Sequence, residues 1–139
     1  MSLPDHVVFD TEPLVAYADD EPGSDTVATY LDAVVRGDSD GTLNFVNATE
    51  TRYILARKYD RETADTFLDW LWTIGISAVE TETVWSRAAE YVIDHNPALG
   101  DAYALATAAA VDGTLLVGGD EEYDDVDDVP IERFRDHGV

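Results

Sequence analysis

Four acidic residues fall where an α/β chain places its ligands. Asp10 is the first charge after the apolar run Val7-Val8-Phe9, and Glu50 lies one turn into a helical segment that follows a short strand. Asp101 opens an alanine-rich helix just after Gly100, and Asp120 follows Leu115-Leu116-Val117-Gly118-Gly119. Oxygen donors of this kind, in a chain with no cysteine and only scattered histidines (His6, His95, His137), suit a hard divalent cation, Mg²⁺ or Mn²⁺. Such an ion retains water, and water activated by it is a nucleophile for a phosphodiester. Hydrolysis is the expected route, because no histidine pair is available for the general acid–base work of 2′-hydroxyl attack.

Each acid also has a plainer reading. Asn47-Ala48-Thr49-Glu50 fits a capping box, with Asn47 as N-cap and Glu50 reaching back from the third helical position. Asp101 could simply complement a helix dipole. Asp120 opens an acid-rich tail, Asp120-Glu121-Glu122-Tyr123-Asp124-Asp125, and charge runs are commonly solvated faces. Asp10 resists such a reading, since a charge at the end of an apolar strand needs compensation when buried.

The elements that must position these acids follow from periodicity. Strands are expected over His6–Asp10, Thr42–Val46, Ile76–Val79 and Thr114–Val117, with a short last one at Val129–Ile131. A short turn or helix is expected over Thr11–Tyr17. Helices are expected over Ser24–Val35, Ala48–Tyr59, Glu62–Ile74, Thr83–Asp94 and Gly100–Val111, with Pro97 separating the last two. Alternation of this sort predicts an α/β fold, a central parallel sheet with helices on both faces. Ligands in such sheets collect beyond the carboxyl ends of the strands, where these acids fall.

The chain has 139 residues, 45% of them hydrophobic, which suffices for one domain, 1–139, with a real core. Zinc–thiolate sites and disulfides are excluded by the lack of cysteine. No apolar run reaches the length of a membrane span, and the start, MSLPDHVVFD, has no basic, apolar leader, so a cytoplasmic protein is expected. Thirty acids face eight basic residues, of which one, Lys58, is a lysine. The resulting charge of −22 would strain a compact chain in dilute buffer, whereas at 1 M salt the Debye length falls to about 3 Å. This balance suggests a salt-adapted chain, as in a halophilic archaeon.

The segments VVFDTEPLVAY, NATETRYILAR and LGDAYALATAAAVDGTLLVGGDEEYDD resemble those of the PIN-domain ribonucleases, in particular the VapC-like toxins of toxin–antitoxin pairs. The resemblance runs over nearly the whole chain and implies a PIN-like three-layer fold. It matches Asp10-Thr11, Glu50, Asp101 and Asp120 with Tyr123 to the family's acids and its late aromatic. It implies metal-dependent RNA cleavage with Asp10, Glu50, Asp101 and Asp120 as ligands, Thr11 holding the Asp10 loop and Asn47 supporting Glu50. It further implies a homodimer silenced by an antitoxin whose segment enters the acidic cleft. Two positions depart from the family pattern: a small residue is replaced by Glu12, and a Thr or Ser by Gly118.

Around this core, Asp124 is either an accessory ligand or surface. Arg52 and Arg57 either contact RNA phosphates or pair with surface acids. Three tryptophans and seven tyrosines exceed what one small core absorbs, and the helices Ser24–Val35 and Glu62–Ile74 are the expected contact surfaces. Rival readings are a metal- or RNA-binding module of the same fold without turnover, and an Asp-based phosphatase-like domain, for which Asp10-Thr11-Glu12 departs from Asp-x-Asp. A P-loop is excluded by the lack of its motif. A receiver-like domain would want a late lysine, which the chain lacks.

Overall fold

The computed structural model describes residues 3–119 and 121–135. Strand β1 (His6–Phe9) is built from three apolar residues buried on both sides, the pattern of a strand covered by helices on each face. It is followed by α1 (Thr11–Ala18), α2 (Ser24–Val35), β2 (Asp40–Asn44), α3 (Phe45–Lys58), α4 (Arg61–Thr73) and β3 (Ile76–Val79). Then come α5 (Thr81–His95), α6 (Leu99–Val111), β4 (Thr114–Val117), a 3₁₀ turn at Glu121–Tyr123 and β5 (Ile131–Arg133). The strands lie in the order β3-β2-β1-β4-β5, and every pairing is parallel. Among the described residues no helix is long and apolar enough to cross a membrane.

Alternation along the strands sorts side chains into two cores. Val7, Phe9, Leu43 and Leu116 face α1, α2 and α4, packing on Leu14, Leu31 and Leu71. Val8, Leu115 and Val117 face α5 and α6, packing on Tyr91, Leu105 and four alanines of α6. The alanines keep α6 slim, so it lies close to both the sheet and α5. Because β1 is central, the chain leaves it toward β2 on one side and reaches β4 on the other. The carboxyl end of β1 is thus the switch point, where an α/β sheet opens a crevice.

Several boundaries differ from the sequence expectation. Strand β2 ends at Asn44, and its side chain accepts from Val46 N at 2.8 Å, making Asn44 the N-cap of α3. Helix α3 therefore starts at Phe45, and Asn47 and Glu50 lie inside it, so the capping-box reading of that pair is overturned. Strand β5 begins at Ile131, later than Val129, because Pro130 lacks an N–H and offers only its carbonyl, which accepts from Leu115 N at 2.9 Å.

The aromatic residues also settle differently. Trp70 stacks on Tyr17 at 5.8 Å, and Trp72 leans on Phe45, both half-buried against the first core. Large exposed apolar side chains occur instead at Phe45, Tyr53, Tyr59, Trp85 (60% exposed), Ile93 (73%) and Leu99, with Val35 alone on α2 and none on α4. Most of the large exposed apolar side chains among the described residues thus lie outside the two expected contact helices. The two tryptophans of α4 are used in packing the α1–α4 layer.

Candidate active site

Asp10 closes β1 and caps α1. Its Oδ1 accepts from Thr11 N at 2.8 Å, and its Oδ2 accepts from the Tyr123 hydroxyl at 2.6 Å. The residue is only 3% exposed. Burial, followed by the charge of neighbouring Asp101 and a hydrogen bond with it, holds the Asp10 carboxyl well above the ordinary carboxylate range. The bonds from Tyr123 and Thr11 pull the other way but do not prevail. Tyr123 responds in kind: its phenol is pushed far up by burial and by the charges of Asp10 and Asp101.

Glu50 is brought to the same place by the course of α3. Its Oε1 accepts from Thr11 Oγ1 at 2.8 Å. The Asn47 amide sits between them, with Nδ2 3.0 Å from Gly100 O, 3.2 Å from Thr11 Oγ1, 3.4 Å from Asp10 Oδ1 and 3.5 Å from Glu50 Oε1. Through Asn47, then, α3 is tied to β1's end and to the start of α6. Gly100 completes the approach: a Cβ there would overlap the Glu50 carboxylate. The lack of a side chain lets α6 begin against Glu50, so that Asp101 in its first turn enters the same crevice. A buried bond from Asn44 Nδ2 to Thr107 Oγ1, 3.0 Å, ties β2's end to α6 behind the site.

Asp10, Glu50 and Asp101 thus line one cleft of about 370 Å³, together with Thr11, Glu12, Tyr123 and Arg135. A larger groove of about 970 Å³ lies elsewhere, between α1–α2 and α3–α4, lined by Tyr17, Leu55, Phe67 and Trp70 and edged by Asp20, Asp25, Asp60 and Glu62. It contains none of the convergent acids. Among the described residues no three acids are drawn close enough to form a finished cation cage. The donors nonetheless fit a hard divalent ion, being oxygens at the floor of a crevice where burial and then the charge of Asp101 raise Asp10's proton affinity. Asn47 Oδ1 is buried there without a hydrogen-bond partner among the described residues, an acceptor of the kind that an ion's water shell satisfies.

Of the other expected residues, Asp124, Arg52 and Arg57 fall outside this group. Asp120 and His137 lie outside the described residues. Asp124 is on the surface and pairs with Arg133 at 2.7 Å. Arg52 pairs with Asp65 at 2.6 Å on the exposed face between α3 and α4, and Arg57 lies over the Tyr53 ring at 5.0 Å. His6 bonds Thr42 at 2.6 Å, and His95 pairs with Asp125 at 3.1 Å. Two features were not foreseen from sequence: the Tyr123–Asp10 bond and the presence of Arg135 in the cleft. The position of Tyr123 close behind β4 was a signal for the first. Nothing local marked the second.

A profile of the family described as "PIN domain" matches residues 7–129. No curated protein shows significant sequence similarity to the chain. Solved structures do resemble it. The crystal structure of VapBC2 from Rickettsia felis, bound to a DNA fragment from its promoter, aligns with TM-score 0.71 at 12% identity, covering 92% of this chain and 98% of that one. A toxin–antitoxin complex from Klebsiella pneumoniae gives TM-score 0.72 at 15% identity, over 94% and 98%. FitAcB from Neisseria gonorrhoeae gives 0.59 at 19%, over 90% and 95%. Identities this low speak to the fold alone.

Proposed function

The chain belongs to the PIN-domain family, and from that premise we propose that it is a metal-dependent endoribonuclease, the toxin of a toxin–antitoxin pair. The observation that carries this reading is the convergence of Asp10, Glu50 and Asp101 in one cleft at the switch point of the sheet. These three, with Asp120 by its place in the sequence, would hold one or two Mg²⁺ or Mn²⁺ ions. When bound, the cation would activate water and offset the charge that develops on the phosphate. The chain's own residues set the stage for it. Thr11 and Asn47 fix Glu50 and Asp10 relative to one another, and Tyr123 pins Asp10 Oδ2. Its donated hydrogen bond also favours the ionised carboxylate that a cation needs.

The partner part of the proposal draws on the toxin–antitoxin complexes among the similar structures. The larger groove, apolar in its floor and acidic at its edge, suits an antitoxin segment with apolar side chains flanked by basic ones. A homodimer is proposed as well, with exposed Trp85 and Ile93 on α5 as its surface in place of α2 and α4. RNA as substrate would place the work in the cytoplasm. The deciding experiment is cleavage of single-stranded RNA at molar KCl with Mg²⁺, Mn²⁺ or EDTA. Asp10→Asn and Asp101→Asn should each lower the rate by at least about 100-fold while circular dichroism stays native. Cleavage that persists in EDTA, or in both variants, would show the reading to be wrong.

A further inference from the structure

One wall of the cleft is made by Glu12 and Arg135, neither of which has a part in the hydrolysis outlined above. Arg135 lies two residues past β5, and backbone contacts fix its place. Phe134 N donates to Val117 O at 3.0 Å, carrying the β4–β5 ladder one residue further. On the other side the α1–α2 loop closes in at Gly23, where a Cβ would come within 2.7 Å of the Phe134 ring and 2.8 Å of its carbonyl oxygen. Its φ of +90° also lies in the region that glycine tolerates. Held in this way, Arg135 donates from Nη1 to Pro22 O at 3.2 Å and to Glu21 at 3.5 Å, and from Nη2 to Glu12 Oε1 at 2.8 Å. Its side chain is 14% exposed.

Glu12 owes its position to Gly118. A Cβ at 118 would coincide with the Glu12 carboxylate, so the acid occupies space that any side chain at 118 would need. The two departures from the family pattern are therefore one arrangement, completed by Arg135, which meets the Glu12 charge. Nearby Arg133 donates to Gly118 O at 3.0 Å and pairs with Asp124, and it does not line the cleft. Among the described residues Arg135 is the cation that does.

A cleft lined by Asp10, Glu12, Glu21, Glu50 and Asp101 repels a polyanion. A cation held by Asp10, Glu50 and Asp101 would offset the charge of the phosphate being cut, but that phosphate's neighbours along the strand would still face carboxylates. A guanidinium presents a rigid fork of donors that matches a phosphate, and it keeps its charge at any working pH. Building on the nuclease reading above, we propose that Arg135 binds a backbone phosphate adjacent to the one cut, aimed by Glu12, and so is a positioning residue for the substrate strand.

The test measures binding of a short single-stranded oligoribonucleotide in an Asp101→Asn background with Mg²⁺, over a series of KCl concentrations. Adding Arg135→Gln should weaken binding about tenfold. It should also reduce the slope of log affinity against log salt by about 0.7, the share of one single-strand phosphate. Arg135→Lys should keep the slope while losing severalfold in affinity, because the charge remains and the fork does not. A glutamine variant with a lowered melting temperature but unchanged affinity and slope would reduce Arg135 to an ion pair that braces the wall, overturning the proposal. Should that variant fail to fold, the lysine variant decides: weaker binding at unchanged slope supports the contact, and wild-type affinity overturns it. If the wild-type chain cleaves no RNA and the Asp101→Asn protein binds none, the nuclease reading itself has failed and takes this contact with it. Cleavage by the wild type together with an unchanged slope in Arg135→Gln removes the contact alone.

Discussion

Asp10 is held under opposing demands. It must be buried to sit at the floor of the cleft, and burial beside Asp101 raises its proton affinity, yet the proposed cation binding needs it ionised. The sign of the resulting pH dependence follows from linkage. Its folded pKa lies above the unfolded value, so the metal-free fold binds the extra proton and gains stability as pH falls through that raised value. Above it, the contribution is lost. Melting of EDTA-treated protein at constant molar KCl should therefore show a higher Tm at mildly acidic than at neutral pH, beyond the general relief of negative charge. Asp10→Asn should remove that excess and melt higher than wild type at neutral pH, by a few degrees. Saturating Mg²⁺ should abolish the wild-type excess. Superimposable wild-type and Asp10→Asn curves would contradict this account.

At the scale of elements, α3 and α6 carry the site and α5 carries the unexplained surface. Trp85 and Ile93 are eight residues apart on α5, hence on one face of the helix, and both are more than half exposed. If two copies meet there, Ile93→Asp should convert a dimer to a monomer in light scattering at molar KCl, with the melting temperature of the separated chain little changed. An unaltered mass would exclude α5 as the interface. The elements themselves were largely legible from periodicity, and three acids were legible by their places in it: Asp10 behind β1, Glu50 one turn into α3 and Asp101 at the start of α6. Asn44 was hidden as a cap because Asn47, three residues on, offered the same chemistry in a plausible box. The count of tryptophans and tyrosines misled because composition says how much aromatic surface there is and nothing of what covers it; Trp70 and Trp72 are packed within the α1–α4 layer. Arg135 was illegible for a different reason: the Gly23 contact and the Gly118 space that place it join residues more than 90 positions apart.

For the whole molecule, charge sets the working conditions. The few basic residues are mostly committed: Arg36, Arg52, Lys58, Arg133 and Arg135 each pair with at least one acid, and eight basic residues cannot neutralise 30 acids. Exposed pairs contribute little in any case. The remaining repulsion is long-ranged and screenable, with a Debye length of about 10 Å at 0.1 M salt and about 3 Å at 1 M. Thermal stability should therefore rise by many degrees between 0.1 and 2 M KCl, and an uncharged osmolyte at equal osmolality should give a smaller rise. A melting temperature indifferent to KCl would remove the case for salt adaptation.

The parallel pairing of β1 with β4, Val7 against Thr114, has a consequence for how the protein is made. A ribosome that has delivered everything through α6 has already released Asp10, Glu50 and Asp101, but the central strand still has one open edge. Only when β4 emerges can that edge close, with Tyr123 reaching Asp10 soon after. Contacts so remote along the chain form late. On the nuclease reading proposed above, an enzyme assembled in this order would stay harmless to the message and the machinery producing it until its synthesis is well advanced, which would leave time for a partner to be waiting.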